Sequence, residues 1–161
     1  MKELTAKDIM TKDVVWVHEH TTVTEAAELF SREMISGAPV VDAAGVMTGV
    51  VSLRDLIKNG GTTQKFVADD QAGRSVYFEE SWELPLSEDE VAGFHLEDQS
   101  LTIKDVMTPV LFNVDLHTPV SELAQMMLRG RIHRVIVLDG DELAGIVTTM
   151  DMLKVLTGAH V

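Results

Sequence analysis

Laid over itself with a shift of 97 residues, this chain matches its own beginning. "DIMT" (8–11) falls on "DVMT" (105–108), Thr21 and Val23 on Thr118 and Val120, Glu25 on Glu122, Ile35 on Ile132, and "VVD" (40–42) on "VLD" (137–139). One residue drops out of a turn in the second copy, so "GVVSLRDLI" from Gly49 meets "GIVTTMDML" from Gly145 at a shift of 96. A repeat of about 55 residues buries too little apolar surface to be comfortable alone. Two copies packed on each other solve that problem, and pseudo-twofold pairing is the natural geometry for a duplicated unit. The chain therefore divides into a first unit (1–60), a second unit (101–161) and an intervening segment (61–100) that matches nothing else in it.

Each copy carries the same run of elements. "DVVWV" and "PVLFNV" are β-branched and aromatic, so a short strand or extended segment follows each "D-x-M-T". A helix comes next. Thr22 with Glu25 is a capping-box signature, and Thr118 before Pro119 reads as an N-cap with proline in the first helical position. Val23, Ala27, Phe30 and Met34 fall at helical spacing, as do Val120, Ala124 and Met127, the second stripe ending in Arg131. Two strands follow, "APVVD" and "VMTGVVS" in one copy and "RVIVLD" and "LAGIVT" in the other, and a short helix begins at Ser52 or Thr148. The expected fold is α+β: two β-α-β-β-α units, packed sheet to sheet with pseudo-twofold symmetry.

Hydrophobic residues make up 45% of the chain and aromatics only 5%, which gives a mainly aliphatic core and argues against wholesale disorder. A net charge of −13 repels nucleic-acid backbones and anionic membranes, so neither is an expected partner. The absence of cysteine excludes disulfides, thiolate metal ligands and cysteine nucleophiles. The N-terminus lacks the apolar core of a signal peptide, and nothing approaches the roughly 18 apolar residues of a membrane span. A soluble cytoplasmic protein is expected. With no P-loop, no G-x-S-x-G and no metal triad, an enzyme is not.

The "S-x-x-D" and "T-x-x-D" endings are, to begin with, helix caps, the hydroxyl capping and the carboxylate answering from the first turn. Combined with the paired "D-x-M-T" leaders, "TVTEAAELF" against "TPVSELAQMM" and "ISGAPVVD" against "IHRVIVLD", they make the chain resemble a tandem pair of CBS domains. This is the regulatory module named after cystathionine β-synthase, also called a Bateman module. The likeness covers about 120 of the 161 residues, all but the central segment.

The resemblance implies a regulatory disc that binds AMP, ADP, ATP or S-adenosylmethionine as ligand, forms a homodimer and signals to a separate effector protein. The adenine base would lie near Met10 and Val15, or near Met107, Val110 and Phe112. It would also meet Ile35, Ser36 and Gly37, or Ile132, His133 and Arg134. Asp55 and Asp151 would hold the ribose hydroxyls, helped by Ser52 and Thr148, with Arg54 and Met150 inside the same motifs. No catalytic cofactor and no metal are implied.

The residue chemistry suits that reading. An ionised carboxylate only accepts hydrogen bonds, and a ribose diol presents two donors. Helix N-termini add free N–H groups for a partly negative ligand. "RGRIHR" gathers Arg129, Arg131, His133 and Arg134 into the richest basic run of an acidic chain, and guanidinium forks fit phosphate oxygens. Two departures count against a full transfer. Ile136 stands where the family often has proline (Pro39 in the first copy), which alters the strand entry at the second site. Gly37 and Ala38 leave the first copy without a basic side chain there, so the second site is the one expected to bind first. His18 and His20 sit at i, i+2 as metal sites do, with no third ligand in view. Met34, Met126 and Met127 read as core filler. The central segment is acidic from Glu79 to Asp98, with a capping signature at Ser87 and Glu90 and anchors at Tyr77, Phe78, Trp82 and Phe94. It would pack back on the module, cover a cleft or dock a partner. A scaffold protein acting through that segment is the alternative function.

Overall fold

The computed structural model describes residues 3–60, 100–109 and 112–158. In chain order they form α1 (Ala6–Ile9), β1 (Val17–His18), α2 (Val23–Glu33), β2 (Gly37–Val41), β3 (Met47–Ser52) and α3 (Leu53–Gly60). The second copy supplies α4 (Ile103–Val106), β4 (Thr108–Pro109), β5 (Asn113–Asp115), α5 (Val120–Gly130), β6 (Arg134–Asp139), β7 (Glu142–Thr148) and α6 (Thr149–Thr157). The chain is the mixed α+β fold expected, with one addition: a single-turn helix, α1 or α4, at the head of each copy.

Those leader helices are exchanged. α1 belongs to the first copy by sequence but binds the second: Ala6 and Lys7 donate their N–H groups to the carbonyls of Thr118 and Leu116. In mirror fashion Ile103 and Lys104 of α4 donate to Thr21 and Glu19. Thr11 then bridges Ile146 beside β7, while Thr108 pairs with Val50 on β3. Each of these backbone contacts of one leader has its counterpart 96 or 97 positions away. Such reciprocity, i to j and j to i, is the mark of a twofold relation.

The sheets run β1-β2-β3-β4 and β5-β6-β7, with β1 parallel to β2, β5 parallel to β6, and antiparallel hairpins β2–β3 and β6–β7. Matching bulges lie at Val40/Val41 and Val137/Leu138. Two apolar cores result. One gathers Ala6, Ile9 and Met10 with Leu123, Ile132, Val135 and Val147; the other gathers Ile103 and Val106 with Val23, Phe30, Val40 and Leu56. The units also meet at their hairpin turns, where Val46 bridges Glu142 and Met47 donates to the Asp141 carbonyl. The repeat in the sequence and the packing unit are thus different sets of residues.

Both long helices end in the same reversal, which corrects two sequence expectations. Met34 and Arg131 take left-handed backbone, φ 53° and 51°, and the amides of Ile35 and Ile132 turn back to the carbonyls of Phe30 and Met127. The helix stops before the stripe's last position, so Met34 is 74% exposed and fills no core. The buried stripes are Val23, Ala26 and Phe30 in α2, and Leu123 and Met127 in α5; Ala27, Val120, Ala124 and Met126 are half-buried beside them. At the start of α5 the cap is Pro119 and not Thr118. The Thr118 carbonyl is taken by the exchanged leader, and the Pro119 carbonyl receives the first helical N–H groups, from Glu122 and Leu123.

The capping box at the start of α2 is present: the Thr22 N–H and hydroxyl donate to Glu25 Oε2 at 2.9 and 2.8 Å, and the Glu25 N–H donates to the Thr22 hydroxyl at 3.2 Å. The bonds from the Thr22 backbone and then its hydroxyl hold the Glu25 carboxyl below its ordinary value of 4.5. A lowered pKa gives stability that is complete above that value and is lost as pH falls through the folded one. Thr22→Ala is expected to cost about 0.5–2 kcal/mol at neutral pH, where the whole cap is present. In urea unfolding across a pH series, the gap from wild type should narrow as pH drops below 4.5. A gap that stays constant into acid would show that Glu25 takes no part.

Candidate functional site

In each unit, antiparallel register joins the start of the middle strand to the hydroxyl-x-x-Asp turn. Gly37 pairs with Ser52, and Arg134 with Thr148. The Ser36 carbonyl receives the Leu53 N–H at 2.7 Å, and the His133 carbonyl receives that of Thr149 at 3.0 Å. Ile35, Ser36 and Gly37 are thereby set beside Ser52, Arg54 and Asp55. Ile132, His133 and Arg134 are set beside Thr148, Met150 and Asp151.

The carboxylates at the centre are helix caps first. Ser52 donates its N–H and hydroxyl to Asp55 Oδ2 at 2.8 and 2.7 Å. Thr148 does the same to Asp151 Oδ2, both at 2.8 Å. Asp151 Oδ1 receives the Lys154 ammonium at 3.0 Å, and the Asp151 side chain is only 3% exposed. A charge taken that far from water is stable only with such partners. Among the described residues Asp151, Ser52 and Glu19 are the buried polar ones. Glu19 has a structural task, accepting from Lys104 at 3.2 Å and lying 3.3 Å from His20, where it pins the exchanged leader α4.

The leader residues fall differently from the expectation. Met10 and Met107 were grouped with their own copies, but the exchange puts each against the other copy. Met10 is buried against Gly145, and Met107 packs on Gly49 and Thr48. Phe112 stays with the second unit, covering Gly130 at the end of α5, with its carbonyl receiving the Ile136 N–H at 3.2 Å. Val15 is half-buried on the segment joining α1 to β1. Val110 lies outside the described residues, as does everything expected of the central segment from 61 to 99.

The basic run is split. His133 and Arg134 are half-buried at the start of β6, beside Thr148, whereas Arg131 is the exposed helix cap and Arg129 faces outward from α5. Arg129 lines a groove of about 780 Å³ along α5, with Phe112, Pro119, Glu122, Met126 and Gly130. That groove touches neither Thr148 nor Asp151. His18 and His20 are exposed, His18 standing edge-on to Trp16 with ring centres 5.0 Å apart. No group of three or more His, Cys, Asp or Glu that could hold a metal occurs among the described residues. Likewise, no helix there is long and apolar enough to cross a membrane.

Two features escaped the sequence reading. The aspartate of each "D-x-M-T" is itself a cap, Asp8 receiving the N–H and hydroxyl of Thr5, and Asp105 those of Thr102. The T-x-x-D spacing would have revealed it. The glycines of the two opening motifs are the seats of the other copy's leader, which no local pattern announces.

A family profile described as CBS domain matches residues 6–60 and 103–158. The uncharacterized protein MJ1426 of Methanocaldococcus jannaschii is 29% identical over 93% of this chain and 89% of its own length. Of two further relatives from that organism, MJ1232 and inosine-5′-monophosphate dehydrogenase, the chain spans only 39% and 23%. Among solved structures, CBSX2 in complex with AMP superposes with a TM-score of 0.65 at 24% identity, over 96% of each chain. The CBS domain pair of MJ0100 with 5′-methylthioadenosine and S-adenosyl-L-methionine gives 0.61 at 22%, over 98% of each. At these identities the two structures speak to the fold.

Proposed function

The chain belongs to the family of CBS-domain proteins, and from that membership we propose that it is a regulatory module binding an adenosine-containing ligand between its two units. The single observation that carries the reading is Asp151: a buried carboxylate at the N-terminus of α6, bonded to Thr148, which pairs in register with Arg134 at the start of β6. Such a group accepts from ribose hydroxyls, while the Arg134 guanidinium at the start of β6 suits a 5′ phosphate or a sulfonium ligand's carboxylate. The adenosine ligands in the CBSX2 and MJ0100 structures support the same class. The module works as a homodimer and passes its signal to a separate protein. Met150, Leu153 and Leu156, exposed along α6, support a covered helix face.

The test is a thermal-shift panel of AMP, ADP, ATP, GTP, NAD and S-adenosylmethionine. A ligand at a hundredfold excess over Kd should stabilise by about 2.7 kcal/mol. Asp151→Ala should remove most of that shift and Asp55→Ala less. No shift from any adenosine ligand at millimolar concentration would sink the reading, and the reverse ranking would move the site to the first unit.

A further inference from the structure

Counting acceptors at Asp151 sets a condition that a ribose contact has to meet. An ionised carboxylate offers about two hydrogen-bond positions on each oxygen. Oδ2 receives the Thr148 N–H and hydroxyl, both at 2.8 Å, and is full. Oδ1 receives the Lys154 ammonium at 3.0 Å, which leaves a single position for a diol that brings two donors. Lys154 stands one helical turn further along α6, and its side chain is 47% exposed against 3% for Asp151. The lysine is the outer member of the pair and can exchange its carboxylate for water; the aspartate cannot.

We propose that Lys154 is a specificity-determining residue that competes with the ribose cis-diol for Asp151. A ligand engages Asp151 through both hydroxyls only by displacing the Lys154 ammonium, whereas a sugar with one hydroxyl fits the position left open. The inference rests on the ribose reading of Asp151 given above. Displacement also frees a cation at the rim of the site. Lys58 holds the matching place three residues after Asp55.

Calorimetric titration of the full chain with adenosine and with 2′-deoxyadenosine tests this. Lys154→Met keeps the aliphatic stem and removes the competing donor. It should tighten adenosine binding by roughly 3- to 10-fold, the scale of one charge-assisted hydrogen bond regained, and change 2′-deoxyadenosine by less than about twofold. Lys154→Arg keeps a cation and should stay near wild type. Adenosine binding that weakens or is unchanged in Lys154→Met, or an equal gain for the deoxy sugar, would overturn the competition while leaving the ribose contact standing. Adenosine binding that survives Asp151→Asn, or no binding by wild type and Lys154→Met alike, would overturn both.

Discussion

Ile103→Ala is expected to loosen the first unit, although Ile103 belongs by sequence to the second. Its side chain is fully buried in the core that holds Val23, Phe30, Val40 and Leu56. Truncating a buried isoleucine typically costs about 2–5 kcal/mol, the lost transfer energy plus the cavity left behind. Against a total stability of about 5–15 kcal/mol, that is a large fraction. The location of the damage is the sharper readout. Amide hydrogen exchange should rise in β2 and β3, whose sheet receives the exchanged leader, ahead of β6 and β7. Ile9→Ala, fully buried in the other core, should give the opposite pattern. If each substitution opened its own copy first, the exchange of leaders would not exist in solution.

Gly145→Val should be nearly as costly, for a steric reason. A Cβ on Gly145 would lie 2.7 Å from the Thr11 carbonyl oxygen and 2.8 Å from Met10 Sδ. The methionine can yield, but that carbonyl accepts the Ile146 N–H at 3.0 Å, and the Thr11 N–H donates back to Ile146 at 2.8 Å. Retreat would break the bridge that ties the leader to β7. Overpacking of this kind costs about 1–3 kcal/mol, occasionally more. Each kcal/mol lowers the melting temperature of a chain this size by roughly 2–4 °C. Gly49→Ala meets the same obstacle in the first unit, with the Thr108 carbonyl at 2.7 Å. Gly130→Ala is the control, since its nearest neighbour would be 3.4 Å away. A melt in which Gly145→Val behaves like Gly130→Ala would contradict the close approach.

The hairpins were legible because β-branched runs bounded by turn residues leave little alternative, and β6 covers Arg134–Asp139 as read. The grouping at the site was legible for the same reason: in an antiparallel hairpin, the start of one strand lies beside the end of the next. Where Met10 and Met107 settle was not. A four-residue helix carries no local sign of which sheet it will join, and the choice is made by contacts nearly a hundred residues away. The stripe through Met34 misled because the period continues past a cap that glycine usually marks, and here methionine and arginine hold it. The lysine on Asp151 follows a visible i, i+3 spacing, but spacing alone does not say that its partner's other oxygen is already full.

The exchanged leaders separate what was copied from what folds. Duplication made two repeats, yet neither completes its own packing: β4 of the second copy closes the first sheet, and Thr11 of the first copy bridges Ile146 of β7. Severed at the middle, each half would retain a leader it cannot use and lack the one it needs. The two halves therefore answer for each other's mistakes. A change at Met10 is judged at Gly145 and one at Met107 at Gly49, so the copies are bound to vary together across the join and not within it.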